Sequence, residues 1–404
     1  MFYLRCFFRS CFLIFVSIFL TRKENMIAFG SWGGKFLIDN SFYLARYIKN
    51  LFPNYLVYWV GEKNLKEMCE ENGFIFLEKN TFSSDFRLLR CKYLFFSQMP
   101  NDDISASNVY VKSITCYLHH GMPIKKWGND AIGFKKRCSI FRKIYKAITG
   151  ISIHFNFFAT SSELHDKSNL TSLSSRGCTD KKNLKCGTPR NDFLINITME
   201  EKKRIVETLN NKLGISRDKK VILYLPTFRR KSENIFSFCN IGNESLDKLN
   251  YILEKNNAII IEKSHIAEKK LKRNENNSRN IIALDASINV QELYLISDCL
   301  ISDYSGAFLD YLFLDKPIIH FVYDYDYYKE VDSGLYYPIE EFAAGPVAYD
   351  FVALAKTINI VLQQKDLYVE RRKYIKERYM SYEQGNACRL IFNKVIMKKA
   401  DADS

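Results

Sequence analysis

Apolar and polar positions along this chain repeat with two alternating periods. Short apolar runs at 26–29, 55–60, 74–77, 93–96, 115–118 and 155–160 read as buried strands. Between the first of them, 40–51 and 65–71 carry the i, i+3, i+4 spacing of amphipathic helices. A second series of strands begins at 221–225 and continues at 258–261, 281–284, 297–301 and 317–322, with helical patterns over 244–256, 288–296 and 350–380. Continuous apolar strands alternating with helices predict parallel sheets covered on both faces, an α/β fold. The charged helical stretch 196–217 is expected to link the two series. This gives domains at 26–195 and 218–385, a linker helix at 196–217 and a basic tail at 386–404. No internal repeat is visible.

Residues 1–25 stand apart. Phe2 to Leu20 is almost wholly apolar, but Arg5 and Arg9 interrupt it, and the charge-free part, 11–20, is half of the ~20 residues a spanning helix needs. No small-residue cleavage site follows Leu20. Arg5 and Arg9 lie one helical turn apart, a spacing that lets them face lipid headgroups while the Phe-rich remainder enters the interface. A tilted single span and an ordinary packed helix are the other two readings.

Composition narrows the class. The 404 residues suit two domains, and 47% hydrophobic with 15% aromatic content excludes a disordered chain. Lys plus Arg number 59 against 45 acidic residues, a net charge of +14, which favours anionic partners. Basic residues are dispersed and no nucleic-acid motif appears, so nucleic acid is not an expected partner. The basic amphipathic stretch 130–150 suits either an anionic membrane surface or a solvated helix. Eleven scattered cysteines, odd in number and without a C-x-x-C pair, point away from a zinc ribbon and from a disulfide framework, and toward a reducing cytoplasm. No acidic pair stands at metal-ligand spacing, so neither metal nor cofactor is expected.

Candidate chemistry gathers at strand ends. The run 297–301 feeds the turn Ser302-Asp303-Tyr304-Ser305-Gly306, from which a helical pattern with Phe308, Tyr311 and Leu312 departs. Ser302, Asp303 and Ser305 suit helix capping, and equally a cradle for an anionic ligand at a helix N-terminus. His120 follows a strand and precedes Gly121, Pro123, Lys125 and Lys126; it is either a proton acceptor beside cations or a residue capping a carbonyl. Gly30 to Gly34 forms a Gly-rich turn, and Arg190, Asn191 and Asp192 a polar trio after Gly187-Thr-Pro. Thr227, Arg229 and His265 end strands of the second half.

Six motifs in order carry a family resemblance: Phe29-Gly-Ser-Trp-Gly-Gly-Lys35 with Asp39-Asn40, His120-Gly-Met-Pro-Ile-Lys-Lys126, Gly187-Thr-Pro-Arg-Asn-Asp192, Leu225-Pro-Thr-Phe-Arg229, Ser302-Asp-Tyr-Ser-Gly306 with Phe308 and Asp310-Tyr311, and Lys316-Pro-Ile-Ile319. From about Gly30 to Lys376 the chain resembles the CDP-glycerol:poly(glycerophosphate) glycerophosphotransferases, which build teichoic-acid and related capsule backbones. The sequence departs from the family pattern at Met122, at Leu118-His119, at Gly306 and at Ile266.

The resemblance implies two Rossmann-like domains facing across a cleft in the GT-B arrangement, the nucleotide held by the C-terminal half and the acceptor reached from the N-terminal half. It implies catalytic histidines at His120 and His265. Substrate contacts are expected from Arg190, Asn191, Asp192, Lys125, Lys126, Thr227, Arg229, Ser302, Asp303, Ser305 and Gly306. The implied partners are a CDP-alditol donor, CDP-glycerol first, a lipid-linked or growing polymer acceptor, and the anionic membrane surface at the cytoplasmic face. In the implied reaction His120 takes the proton of an acceptor hydroxyl that attacks the glycerol-bearing phosphorus and expels CMP, while His265, Arg229 and the helix after Ser305 steady the charge. A nucleotide-sugar transferase of the same fold, a CDP-ribitol-dependent enzyme and a non-catalytic anion-binding protein are the alternatives; two placed histidines speak against the last.

Overall fold

The structure, a computed structural model, describes residues 2–398 except 108, 110–111, 133–153, 228, 230–234 and 264–278, with side chains from residue 8 onward. The chain divides into two compact units, one of residues 1–122, 134–195 and 381–404, the other of residues 123–133 and 196–380.

The first unit holds a seven-stranded, all-parallel sheet. Its strands are β1 (Lys23–Gly30), β2 (Leu56–Gly61), β3 (Ile75–Glu78), β4 (Cys91–Phe96), β5 (Ile114–Tyr117), β6 (Phe157–Thr160) and β7 (Asn183–Lys185). Their order is β3-β2-β1-β4-β5-β6-β7. The buried stretches of the central strands are continuously apolar, as expected where helices cover both faces: Ile27, Phe29, Trp59, Tyr93 and Phe95 are all within 1% of complete burial. Strand β7, at the edge, is three residues long and carried too little apolar sequence to be predicted.

The expected tail at 386–404 needs correction. Residues Ala387–Ile391 and Phe392–Met397 are helical, and Cys388, Ile391, Phe392, Val395 and Ile396 join the core of the first unit. Phe392 stacks on Phe52 with ring centroids 4.0 Å apart. Arg389, Lys394 and Lys398 between them made a helical stripe look merely basic.

Helix α1 (Phe2–Phe19) lies on the same unit. Ser10, Leu13 and Ser17 face inward, whereas Phe8, Phe12, Phe15, Ile18 and Phe19 are 49 to 73% exposed. Arg9 therefore does not sit on the outward face expected of it: its guanidinium pairs with the buried Asp85 at 2.7 Å and donates to the Asn80 carbonyl at 2.8 Å. The physical reason is that Asp85 has no water to ionise into and recruits the nearest cation. Among the described residues no helix is long and apolar enough to cross a membrane.

The second unit holds six parallel strands, β8 (Lys220–Leu225), β9 (Ala258–Lys263), β10 (Ile281–Leu284), β11 (Cys299–Ser302), β12 (Ile318–Phe321) and β13 (Val347–Ala348), in the order β10-β9-β8-β11-β12-β13. The predicted linker is a covering helix of this unit: Met199–Leu213, capped by Thr198 Oγ1 at the Glu201 N–H and ended by Gly214 in the left-handed region, packs against Val290–Ile296. The basic stretch 130–150 lies, from 133 on, outside the described residues, as does His265.

In each sheet the strand order reverses once, between β1 and β4 and between β8 and β11. Loops at the carboxyl ends of such strands splay apart and leave room for a ligand. Three of the motifs singled out above, at 29–35, 225–229 and 302–306, fall on these loops, those at 120–126 and 187–192 follow β5 and β7, and 316–319 leads into β12.

Candidate functional site

In the first unit, β1 ends at Gly30, where an added Cβ would lie 2.1 Å from the Asp103 carbonyl, so only glycine lets the helix Pro100–Asp103 pack there. The carboxylate of Asp103 then accepts three backbone donors: Gly33 N–H at 2.8 Å, Ser97 N–H at 3.0 Å and Gln98 N–H at 2.7 Å. One side chain thus joins the loop after β1 to the loop after β4. Burial pushes its carboxyl up to about 7 despite those donors.

Next along the edge, β5 runs out at Tyr117 into His119 and Gly121, with φ of +57° and +120°. Asn40, near the start of α2 (Asp39–Leu51), fixes this turn by donating to the carbonyls of Leu118 at 3.0 Å and His119 at 2.9 Å. Its own Oδ1 accepts the Arg190 N–H at 3.1 Å. The Arg190 guanidinium pairs with Asp39 Oδ1 at 2.8 Å, and Trp32 Nε1 donates to Asp39 Oδ2 at 2.8 Å. A Cβ on Gly121 would meet Arg190 Nη2 at 2.6 Å. The result is an exposed His120 whose Nδ1 lies 3.4 Å from the Ser97 carbonyl and whose ring meets Trp32 edge-on at 5.5 Å. A carbonyl only accepts, so this contact favours the Nδ1–H tautomer, which in the neutral ring puts the lone pair on Nε2.

His119 and His165 lie behind it, rings 4.5 Å apart and both buried. Burial lowers His119 and takes His165 down to about 3, and each is lowered further by the neighbouring His120. Both are neutral near pH 7. His165 Nδ1 accepts the Ser161 N–H at 3.3 Å.

Two members of the polar trio are occupied within the protein. Asp192 caps the C-terminal helices through the Ala387 and Cys388 N–H groups at 2.9 and 2.8 Å, and Asn191 donates to Thr188 Oγ1 at 2.9 Å. Only Arg190 of the three reaches the His120 turn.

In the second unit, Asp303 stands at the reversal between β8 and β11. It accepts the Thr227 N–H at 3.0 and 3.1 Å, bonds the Thr227 hydroxyl, and pairs with Arg229 Nη1 at 2.8 Å. Arg229 also grips Asp324 through Nε at 2.8 Å and Nη2 at 3.0 Å, and donates to the Thr227 carbonyl at 2.6 Å. Rings of Tyr304, Tyr323 and Tyr328 enclose its guanidinium at 5.0 to 5.3 Å. Burial opposes its charge, but Asp303 and Asp324 outweigh burial and push Arg229 above its ordinary value. The cation expected to meet the donor's phosphates is paired with two carboxylates in this structure and joins three strand-end loops.

At this edge Ser305 and Gly306 are half-buried, while Ser302, Asp303 and Tyr304 are buried. Ser302 Oγ is fully buried with no hydrogen-bond partner among the described residues, and Ser305 Oγ accepts the Ala307 N–H at 3.2 Å. The helix after Gly306 has only five residues, Ala307–Tyr311, so its dipole is smaller than the sequence pattern suggested. Lys125 and Lys126 belong to this unit, not to the one carrying His120: Lys125 bridges to Leu335 and the Lys126 N–H donates to Gly334. An apolar cavity of about 230 Å³ lined by Pro317, Ile318, Pro346 and Ile360 opens at the other end of the strands, away from Ser302.

Sequence reasoning missed Trp32, Asp39, Asn40, Asp103 and Asp324 as site residues. The first three stood in a recognised motif; Asp103 and Asp324 stood in none, and only the fold reveals what they bond.

Each unit is an all-parallel α/β sheet with polar loops where the strand order reverses. The family model for CDP-glycerol:poly(glycerophosphate) glycerophosphotransferase matches residues 12–397, and the chain belongs to that family of transferases. It is 25% identical to the teichoic acid glycerol-phosphate transferase of Staphylococcus aureus over 92% of this chain and 93% of that one. It is 25% identical to the teichoic acid poly(glycerol phosphate) polymerase of Staphylococcus epidermidis over 91% of this chain, yet spans only 50% of that longer protein. The solved wall teichoic acid polymerase TagF shares the fold, with a TM-score of 0.72 at 24% identity, covering 93% of this chain and 89% of that one.

Proposed function

We propose that the chain transfers glycerol phosphate from CDP-glycerol to a hydroxyl of a membrane-linked acceptor, as a step in the synthesis of a teichoic-acid-like or capsular polymer. The two units serve as Rossmann-like domains of the GT-B class, the first for the acceptor and the second for the nucleotide. The observation that carries this reading is His120, held by Ser97 and Trp32 with its lone pair on Nε2. Nε2 takes the acceptor hydroxyl's proton as the oxygen attacks the phosphorus bearing glycerol; the pyrophosphate P–O bond breaks, and CMP leaves with the bridging oxygen. Ser305 and the Gly306 turn contact the diphosphate, with Ser302 buried behind them and Lys125, Lys126 and His265 supplying positive charge. Asp303, Thr227 and Arg229 hold that turn rather than touch the donor.

The S. aureus relative, matched along nearly its whole length, favours glycerol; ribitol-phosphate polymerases match only about half of this chain. Work at the cytoplasmic face of the membrane follows from such an acceptor, and the outward stripe of Phe8, Phe12, Phe15 and Phe19 on α1 supports attachment to an anionic bilayer surface.

The test is incubation with a lipid-linked acceptor analogue and labelled CDP-glycerol, CDP-ribitol and UDP-sugars, followed by product mass. A gain of one or more glycerol phosphate units with release of CMP is expected. Incorporation from a UDP-sugar alone would overturn the reading.

A further inference from the structure

Two protein groups around His120 are Ser97 and Trp32, and Ser97 and the residue next to Trp32 are tied to a single carboxylate. The Ser97 carbonyl orients Nδ1, and the Trp32 ring packs on the imidazole edge. Ser97 donates its N–H to Asp103 Oδ2, and Gly33, next to Trp32, donates its N–H to Asp103 Oδ1. Strands β1 and β4 are neighbours, yet their loops part here, because this is where the chain winds off in opposite directions. Something must hold the two loops in register against that divergence. The second unit does it with Asp303 between the loops after β8 and β11, which shows the same solution at the equivalent reversal.

We propose that Asp103 is a positioning residue for His120: by clasping the loops after β1 and β4 it sets the imidazole's orientation and keeps its proton on Nδ1. This rests on the proposed role of His120 as proton acceptor. Nothing about the placement is accidental to packing alone. Gly30 concedes its side chain so that Asp103 can come this close, and the charged groups facing the clasp, Lys79 and Asp102, leave the three backbone bonds in place; Lys79 Nζ donates instead to the Gly33 carbonyl at 2.7 Å.

The experiment uses Asp103→Asn in the full chain. An amide has one accepting oxygen where the carboxylate has two, and turns an NH2 group toward an N–H donor, so one loop is released. With His120 ¹⁵N-labelled, NMR should report the Nδ1–H tautomer in the parent and a mixed tautomer population with a displaced titration midpoint in the variant. The kcat for transfer should fall roughly 10- to 100-fold, with the KM for CDP-glycerol within about twofold. Should Asp103→Asn not fold, Gly33→Ala strains the same clasp from the other loop, where φ is +68° and an added Cβ meets nothing, and the same displacement is expected. A folded variant whose His120 tautomer and midpoint match the parent overturns the inference. The NMR reading needs no substrate, so it stands apart from the functional proposal, which fails separately if His120→Ala retains transfer.

Discussion

Arg190 and Asp39, 151 residues apart in sequence, form a buried ion pair with Nη1 2.8 Å from Oδ1, and the backbone of Gly121 rests against that arginine. The pair joins the start of α2 to the helix Pro189–Asn196 and so supports the turn that presents His120. Gly121→Ala should therefore cost activity without touching a reacting group. Its φ of +120° and the 2.6 Å approach to Arg190 lead to an expected loss of about 1–3 kcal/mol in unfolding free energy. A kcat reduction of roughly tenfold or more should accompany it; unaltered urea midpoint and kcat would contradict the arrangement.

His120→Ala is expected to lower transfer by roughly 10²- to 10⁴-fold while leaving CDP-glycerol affinity nearly intact. Calorimetric titration of the donor, run beside the transfer assay, separates the two effects.

Arg229→Ala should act on stability. Removing it leaves Asp303 buried with its charge uncompensated, an expected cost of about 3–5 kcal/mol. Arg229→Lys should recover little, since a single ammonium does not reproduce the fork that spans Asp303 and Asp324. Thermal unfolding of the two variants checks both statements; a lysine variant as stable as the parent would remove the argument.

Acid should destabilise the fold through its buried histidines. His165 titrates near 6.5 when unfolded and about 3 when folded, because burial disfavours its cation. Between those values the unfolded chain binds the extra proton, so stability is complete above pH 6.5 and declines as pH falls toward 3. His320, lowered to about 4 by burial, adds to the slope. His165→Asn keeps an acceptor for Ser161 but has no proton to gain, and its urea midpoint should depend less steeply on pH across that window.

The aromatic stripe of α1 makes a separate prediction. Phe12→Asp and Phe15→Asp should each weaken flotation with phosphatidylglycerol vesicles by roughly tenfold or more, at the ~2 kcal/mol that burying one Phe contributes. Transfer to a soluble acceptor analogue should persist; vesicle binding equal to the parent's would show that the stripe serves something other than lipid.

Strand content, the α/β class and the family were legible in the sequence because each rests on local information. Apolar runs such as 221–225 and 258–261 are continuous wherever helices cover both faces of a sheet, and motifs such as His120-Gly121 and Ser302-Asp303 are read residue by residue. Tertiary structure alone decided which polar side chains are spent on the protein itself. Arg229, expected as a phosphate ligand, pairs with Asp324, 95 residues on, and Asp192, expected as a substrate contact, accepts from the Ala387 and Cys388 N–H groups. Asp103 carried no signal because its partners are backbone N–H groups, which every sequence contains. A hydrogen bond's worth depends on where the chain brings its two ends, and between distant residues only the fold determines that.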